Sequence, residues 1–381
     1  MVSLVCALLY SMLVAAKVYF ARHFIRHFVV RPYQGSLHNV AVLQPILSGD
    51  PLLAQTLGTS LKLLPEAHFY WLIDTADTRA QIVTEALKQQ HPALNIHILQ
   101  YQQAPAGINP KLFKLEAVLP LCQQPYLLVL DDDTSITAAS LRAMLGELEQ
   151  HTIATGLPYY HQGNTPYSAL LAGFVNNNAA TTYLATLPFM APVTINGMCY
   201  AIKREALLAL GGFAPVLHHL TDDLAVAELV LASGGSIAQL PQQQQIQTHL
   251  ATARAYWQQM HRWYLFAQLL FVRKSRRIQG VMALLYGLPP LLCWLMLLAL
   301  LWQPSFTAVL ACAGALTLKL WLTRQLYDSA DTQNPAAVLL ALLSEYLQLL
   351  HLIHALCSKR IRWRSRYYRV YASDKFELLK P

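Results

Sequence analysis

LLVLDDDTSI, residues 127–136, runs from four apolar residues directly into three adjacent carboxylates, Asp131, Asp132 and Asp133. Only 13% of the chain is charged, so three like charges side by side need a reason. A solvated turn is one. The other is a divalent cation of the Mg2+ or Mn2+ type, which takes hard oxygen ligands from one or two carboxylates together with substrate phosphates. Alternate side chains of an extended chain share a face, so Asp131 and Asp133 point together and Asp132 points elsewhere. An apolar run ending in acids reads as a buried strand that delivers polar groups to its end.

The flanking pattern supports that reading. NVAVLQPI (39–46), HFYWLID (68–74), LNIHILQY (94–101) and PYLLVL (125–130) read as strands. DPLLAQTLGTSLKLL (50–64), TRAQIVTEALKQQ (78–90) and KLFKLEAVLPLC (111–122) read as amphipathic helices between them. Such alternation predicts an α/β domain, a mostly parallel sheet with helices on both faces. Ligands of these sheets bind beyond the carboxyl ends of the strands. Asp74 closes the second strand and Asp131 to Asp133 the fourth, so the acids are expected to converge on one crevice. There is no internal repeat, and the run QQQQ at 242–245 reads as a surface connection.

Composition adds a second compartment. With 55% hydrophobic residues the chain is too apolar for a wholly soluble protein. Val281 to Trp302 is uncharged and long enough to cross roughly 30 Å of hydrocarbon. Ser305–Leu322, interrupted by Lys319, and Ala336–Leu356 are further candidates. Near the N-terminus, VSLVCALLYSMLVAA is followed by Lys17, Arg22, Arg26 and Arg31. A cleaved signal would carry its charge first, so this reads as an uncleaved anchor whose basic flank is cytoplasmic. The expected division is an anchor at 1–27, a catalytic domain at 36–250, an interfacial amphipathic region at 251–280, membrane helices at 281–357 and a basic tail at 358–381. An anchor and three full spans would place the tail outside, against the charge rule. Six scattered cysteines without a CxxC pair argue against structural zinc or a disulfide framework. The net charge of +8 is not accompanied by a nucleic-acid motif, and anionic headgroups are the more economical partner.

Two more stretches carry chemistry. In HLTDDLAVAELVLASGG, Asp222 and Asp223 open a helical pattern, where an acid is either a cap or a general base. In WQQMHRWYLF, Gln259 and Arg262 lie one turn apart, a spacing suited to a diphosphate, with Trp263 beside them for a sugar or lipid; a helix lying on the bilayer is the other reading, and both can hold. Glu345, Gln348, His351 and His354 form a polar stripe in the last apolar segment, as an acceptor groove, an interfacial helix or a packing interface. His218 and His219 precede the acidic pair and are weaker candidates for substrate contact.

Taken in order, Asp74, the Asp131–Asp133 cluster, Asp223 and the QxxRW stretch resemble the membrane-bound GT-A glycosyltransferases of the ceramide glucosyltransferase type, in family 21 and close to family 2. QPILSGDPLL, AGINPKLFKL, NGMCYAIKREAL and GGFAPVLHHLTDDLAVAELV sharpen the resemblance, which covers nearly the whole chain and includes the branch that glycosylates hopanoids. It implies a GT-A, Rossmann-like nucleotide-diphosphosugar domain facing the cytoplasm, with N- and C-terminal transmembrane helices in the cell or inner membrane. It implies a divalent cation on Asp131 and Asp133, and a UDP-sugar held by Asp74, Lys111, Asp132, Gln259, Arg262 and Trp263. Asp223 is the implied catalytic base. Asp132 fills a place more often held by a small polar residue, which leaves its own role open.

The function implied is inverting transfer of a sugar, glucose first, from a UDP-sugar to a hydroxyl of a membrane lipid, ceramide first. A hopanoid or other lipid accepting N-acetylglucosamine is the alternative. A processive polysaccharide synthase would need more spanning helices, and a non-catalytic lipid-binding scaffold would not need this set of acids.

Overall fold

The computed structural model describes residues 1–326, 335–363 and 366–379. After α1 (Val2–His27) the chain runs β1 (Val40–Pro45), α2 (Leu53–Leu63), β2 (His68–Asp74), α3 (Thr78–Gln90), β3 (Ile96–Tyr101), α4 (Pro110–Val118) and β4 (Tyr126–Leu130). This is the alternation read from the sequence. The α4 helix gives way to a 3-10 turn at Leu119–Leu121, because Pro120 has no N–H to continue it. Parallel pairing of β1 with β2 and β4, and of β2 with β3, leaves both sheet faces covered. Val42, Trp71 and Leu128 belong to the core on one face, and Leu43, Leu72 and Val129 to the core on the other. Burial on both sides is why these strands are apolar throughout instead of alternating.

The second half of the domain adds β5 (Thr134–Ser135), α5 (Ala138–Glu147), β6 (Ile153–Tyr160), α6 (Pro166–Tyr183), β7 (Cys199–Lys203), α7 (Arg204–Ala209), α8 (Asp222–Ala232) and β8 (Ile237–Ile246). The eight-stranded order is β3-β2-β1-β4-β7-β6-β8-β5. Because β7 is antiparallel to both β4 and β6, this half is mixed where the first is parallel. The glutamine run is not a surface connection: it lies in β8 and pairs with Leu157–Tyr159 of β6. Gln244 is fully buried, and its amide donates to the Cys199 carbonyl at 2.8 Å while its oxygen accepts from Asn196. Glutamine fits this interior because both ends of its amide are matched.

Next come α9 (Ala253–Arg273), α10 (Arg276–Met282), α11 (Leu288–Trp302), α12 (Phe306–Arg324) and α13 (Pro335–Cys357). Among the described residues four helical stretches are long and apolar enough to cross a membrane: Val2–His27, Arg276–Trp302, Phe306–Arg324 and Val338–Cys357. The second starts before the expected Val281, since α10 and α11 are joined through a π-helical turn at Ala283–Gly287. Pro289 and Pro290 explain that turn. The carbonyl of Leu285 would take its donor from residue 289 in an α register or 290 in a π register, and both are prolines without an N–H. Lys17 of α1 supplies the missing donor, its Nζ lying 3.0 Å from that carbonyl.

The tail forms an antiparallel meander, β9 (Arg360–Trp363), β10 (Arg366–Ala372) and β11 (Lys375–Leu379), with Arg364, Ser365, Lys380 and Pro381 outside the described residues. The meander packs on the α/β domain. The Ser373 carbonyl accepts from the Leu220 N–H at 2.7 Å, and the Ser373 and Thr221 hydroxyls share a hydrogen bond. The α13 helix lies along α6 and α9, with Asn178 donating to Glu345 and Trp257 donating to His354.

Candidate active site

The β4 strand carries its apolar residues into the sheet and releases the chain at Asp131, whose N–H donates to the Met198 carbonyl at 2.8 Å. The three acids then diverge. The Asp131 Oδ1 lies 2.7 Å from the Lys111 Nζ. Asp133 accepts from the hydroxyls of Thr134 and Thr248 at 3.0 and 3.1 Å, which fixes its carboxylate. Asp132 is buried and turned toward the end of β1, where it accepts from the Leu47 N–H at 2.9 Å.

Lys111 is the centre of this region. Its Nζ also lies 2.8 Å from Asp222 Oδ2 and donates to the Gly197 carbonyl at 2.8 Å. It therefore ties the Asp131 cluster to the acidic start of α8. Three residues on, the same face of α4 presents Lys114, 3.2 Å from Asp74. Asn109 sets the placement: its side-chain oxygen caps α4 by accepting from the Lys111 and Leu112 N–H groups. Its amide donates to the His219 and Leu220 carbonyls just before α8. The Asn-Pro pair opening α4 is a readable N-cap signal, but its reach across to residue 220 is not local and leaves no mark in the sequence.

Asp223 lies in the first turn of α8 and accepts from the Leu224 N–H at 2.8 Å. Burial pushes its carboxyl up to about 6, the negative charge of Asp222 adds to the rise, and the helix N–H and Lys111 oppose it. Its approach to the β7 loop requires glycine at 197, where an added Cβ would sit 2.7 Å from the Asp223 Cβ. Burial likewise raises Asp131 to about 7, with Asp133 and Asp222 adding to the rise and Lys111 at 2.7 Å opposing it. A surplus of carboxylates around one ammonium is an arrangement that a further cation would complete. Asp131 and the neighbouring Asp133 offer the hard oxygen donors that Mg2+ or Mn2+ takes. No ready-made group of three or more ligating side chains exists among the described residues, so substrate oxygens would have to fill the remaining positions.

From α9, Arg262 holds Gln259 at 3.0 Å and lies over the ring of Trp363 in β9. Trp263 packs edge-on against Tyr160, which ends β6 and feels the charges of Asp133, Arg262 and Asp131. Asp74, Lys111, Asp131 to Asp133, Asp223, Gln259, Arg262 and Trp263 all line one cavity of about 1550 Å3. His218 and His219 do not line it, whereas Tyr183, Lys17 and Thr248 do. The polar stripe of α13 divides: Glu345 and Gln348 line the cavity, while His351 and His354 pack against Tyr256, Trp257 and His261.

The fold is GT-A-like. A mannosyltransferase from Pyrobaculum calidifontis, solved in complex with GDP-Man and Mn2+, superposes with a TM-score of 0.52 at 16% identity, over 91% of this chain and 99% of its own. Glucosyl-3-phosphoglycerate synthase from Mycobacterium tuberculosis, in complex with Mg2+ and UDP, is more distant, with a TM-score of 0.34 at 13% identity over 55% of this chain and 72% of its own. The chain belongs to glycosyl transferase family 21, whose model matches residues 2–376. A search of curated proteins gives no match.

Proposed function

We propose that this glycosyltransferase moves a hexose, glucose first, from a UDP-sugar to the hydroxyl of a membrane lipid, ceramide first, with inversion. One observation carries the reading: a single cavity is lined at one end by Asp131, Asp133, Lys111, Arg262 and Asp223, and at the other by residues of the apolar helices α1, α11 and α12. Donor chemistry and an acceptor that resides in the bilayer thus have adjoining walls.

Asp131 and Asp133 would hold the divalent cation, which when bound neutralises charge on the diphosphate. Arg262, fixed by Gln259 and Trp363, adds a guanidinium to that leaving group. Asp223, ionised at neutral pH, accepts the proton of the acceptor hydroxyl. The acceptor oxygen then forms its bond to the anomeric carbon as the bond to the diphosphate oxygen breaks and UDP leaves. A single displacement with one base needs no covalent intermediate.

We also infer that α13 does not cross the bilayer. The meander is hydrogen-bonded to Leu220 and Thr221, so the tail shares the side of the catalytic domain. An even number of crossings must then separate α9 from the tail, and α13 is the helix laid along the domain. The basic tail and the positive-inside rule are reconciled, both facing the cytoplasm. Cys357 is exposed and the other five cysteines are buried, so an impermeant thiol reagent added to sealed inside-out vesicles should label it; labelling only from the opposite face would sink the inference.

The test of the main reading is a matrix of UDP-sugars against lipid hydroxyls, ceramide and hopanoid polyols included, with product mass and UDP release as readouts. Absence of product from every pair would leave a scaffold.

A further inference from the structure

The membrane end of the cavity contains two lysines that differ in one respect. Lys319 of α12 is satisfied: its Nζ pairs with Glu345 of α13 and donates to the Asn178 side chain at 3.2 Å. Lys17 of α1 is as deeply buried, at 8% exposure, and lines the same cavity. It has no carboxylate within ion-pair distance among the described residues. Its contacts are the Leu285 carbonyl and the face of Tyr286, 5.2 Å from the ring centroid. A lysine nitrogen carries more than one N–H donor, and here one carbonyl takes one of them. A buried donor left without an acceptor is costly, so a ligand oxygen at this point has an unusually strong claim on it.

The route from Lys17 to the reaction centre is marked. Tyr286 donates to the Thr182 carbonyl at 2.8 Å, and the adjoining Tyr183 feels both the Asp223 carboxylate and Tyr286. Two phenols therefore separate Lys17 from the base along one wall of the cavity, and Lys17 lies on the wall formed by the apolar stretches Val2–His27 and Arg276–Trp302.

Resting on the proposed lipid acceptor, we propose that Lys17 is a specificity-determining residue. It donates to a second oxygen of the acceptor, placed between the reacting hydroxyl and the hydrocarbon. The substrate class is then a lipid with a polar linkage below its hydroxyl, such as an amide or ester carbonyl or a second hydroxyl. A plain long-chain alcohol lacks that oxygen.

Equilibrium binding to the full chain in detergent tests this without relying on turnover. The probes are a short-chain N-acyl amino alcohol and an aliphatic alcohol of equal length. Wild-type protein should bind the amide lipid about tenfold or more tightly than the alcohol, the effect of one well-made hydrogen bond in a desolvated site. Lys17→Met should erase that preference and leave affinity for the alcohol unchanged, and Lys17→Gln, which keeps a donor, should restore part of it. Equal binding of the two lipids by wild type, or equal losses for both in Lys17→Met, would overturn the proposal. If Lys17→Met fails to fold for want of a donor to Leu285, Lys17→Gln decides, because a preference undiminished from wild type in that variant would show that the second oxygen does not meet residue 17. Failure of the main reading looks different: lipid binding with the predicted preference, but no sugar transferred.

Discussion

The two ends of the cavity are unbalanced in opposite senses. At the donor end Asp131 and Asp222 share the Lys111 ammonium and Asp223 lies beside Asp222, leaving negative charge in excess around that lysine. At the membrane end Glu345 pairs with Lys319 alone, and Lys17 has only the Leu285 carbonyl and the face of Tyr286. Buried charge is tolerated when paired and costly when not, so each imbalance describes what is to arrive. In the proposed reading the donor end takes a cation and the membrane end an electron-rich oxygen.

The largest expected effect is at Asp223. Asp223→Asn keeps the side-chain shape but removes the proposed base, and transfer should fall by about 10^2 to 10^4. Donor binding, measured by calorimetry with the UDP-sugar and Mn2+, should survive. Full turnover by this variant would remove Asp223 from the chemistry.

Lys111→Met tests the donor-end excess directly. Two partly buried carboxylates, Asp131 and Asp222, would lose their shared ammonium, and the fold should weaken by less than the ~3–5 kcal/mol of a fully buried pair. The loss is read from thermal unfolding in detergent. Millimolar Mn2+ should recover part of it in Lys111→Met and much less in wild type; no difference between the two would mean that the excess charge does not recruit a cation.

Gly197→Ala leaves every charge in place and moves one of them. The added methyl would meet the Asp223 Cβ at 2.7 Å, so the base must shift by a fraction of an ångström or more. A displacement of that order costs up to about 10^2 in rate. The fall should appear in kcat with the donor KM little changed.

A smaller and more diagnostic effect is the pH profile. The proposed base role requires Asp223 ionised, and its carboxyl is raised to about 6, so kcat/KM should rise through that pH and level off above pH 7. Burial is the main cause and Asp222 the second. Asp222→Asn should therefore move the midpoint down, because a like charge that opposed ionisation has gone. An unmoved midpoint would assign the titration to another group.

These contrasts were unequally visible in the sequence. Asp74, Asp131 and Asp223 announce themselves because they end a strand or begin a helix, positions that period and composition mark locally. The family resemblance implies Lys111 as a nucleotide contact, but its place between Asp131 and Asp222 depends on Asn109 reaching residues 219 and 220. Glutamines 242 to 245 look like a polar linker, because composition does not show that an asparagine and a carbonyl wait in the interior for Gln244. Lys17 reads as flanking charge of an anchor; only the two prolines of a helix far along the chain turn it inward. Local rules find groups, and long-range contacts decide what surrounds them.

The tail is the last such case and gives the smallest expected effect. Ser373 meets Thr221 directly before the two acids of α8, while its carbonyl holds the Leu220 N–H. Ser373→Ala removes the hydroxyl contact and keeps the backbone bond, so stability should drop by about 1 kcal/mol. If the tail only shields the domain, kcat follows stability and the pH midpoint stays. If the contact helps set the start of α8, the midpoint of kcat/KM moves, because Asp223 changes its distance to Asp222 and to its own helix N–H. The midpoint, unlike the melting temperature, separates a tail that covers the donor end from one that helps position its base.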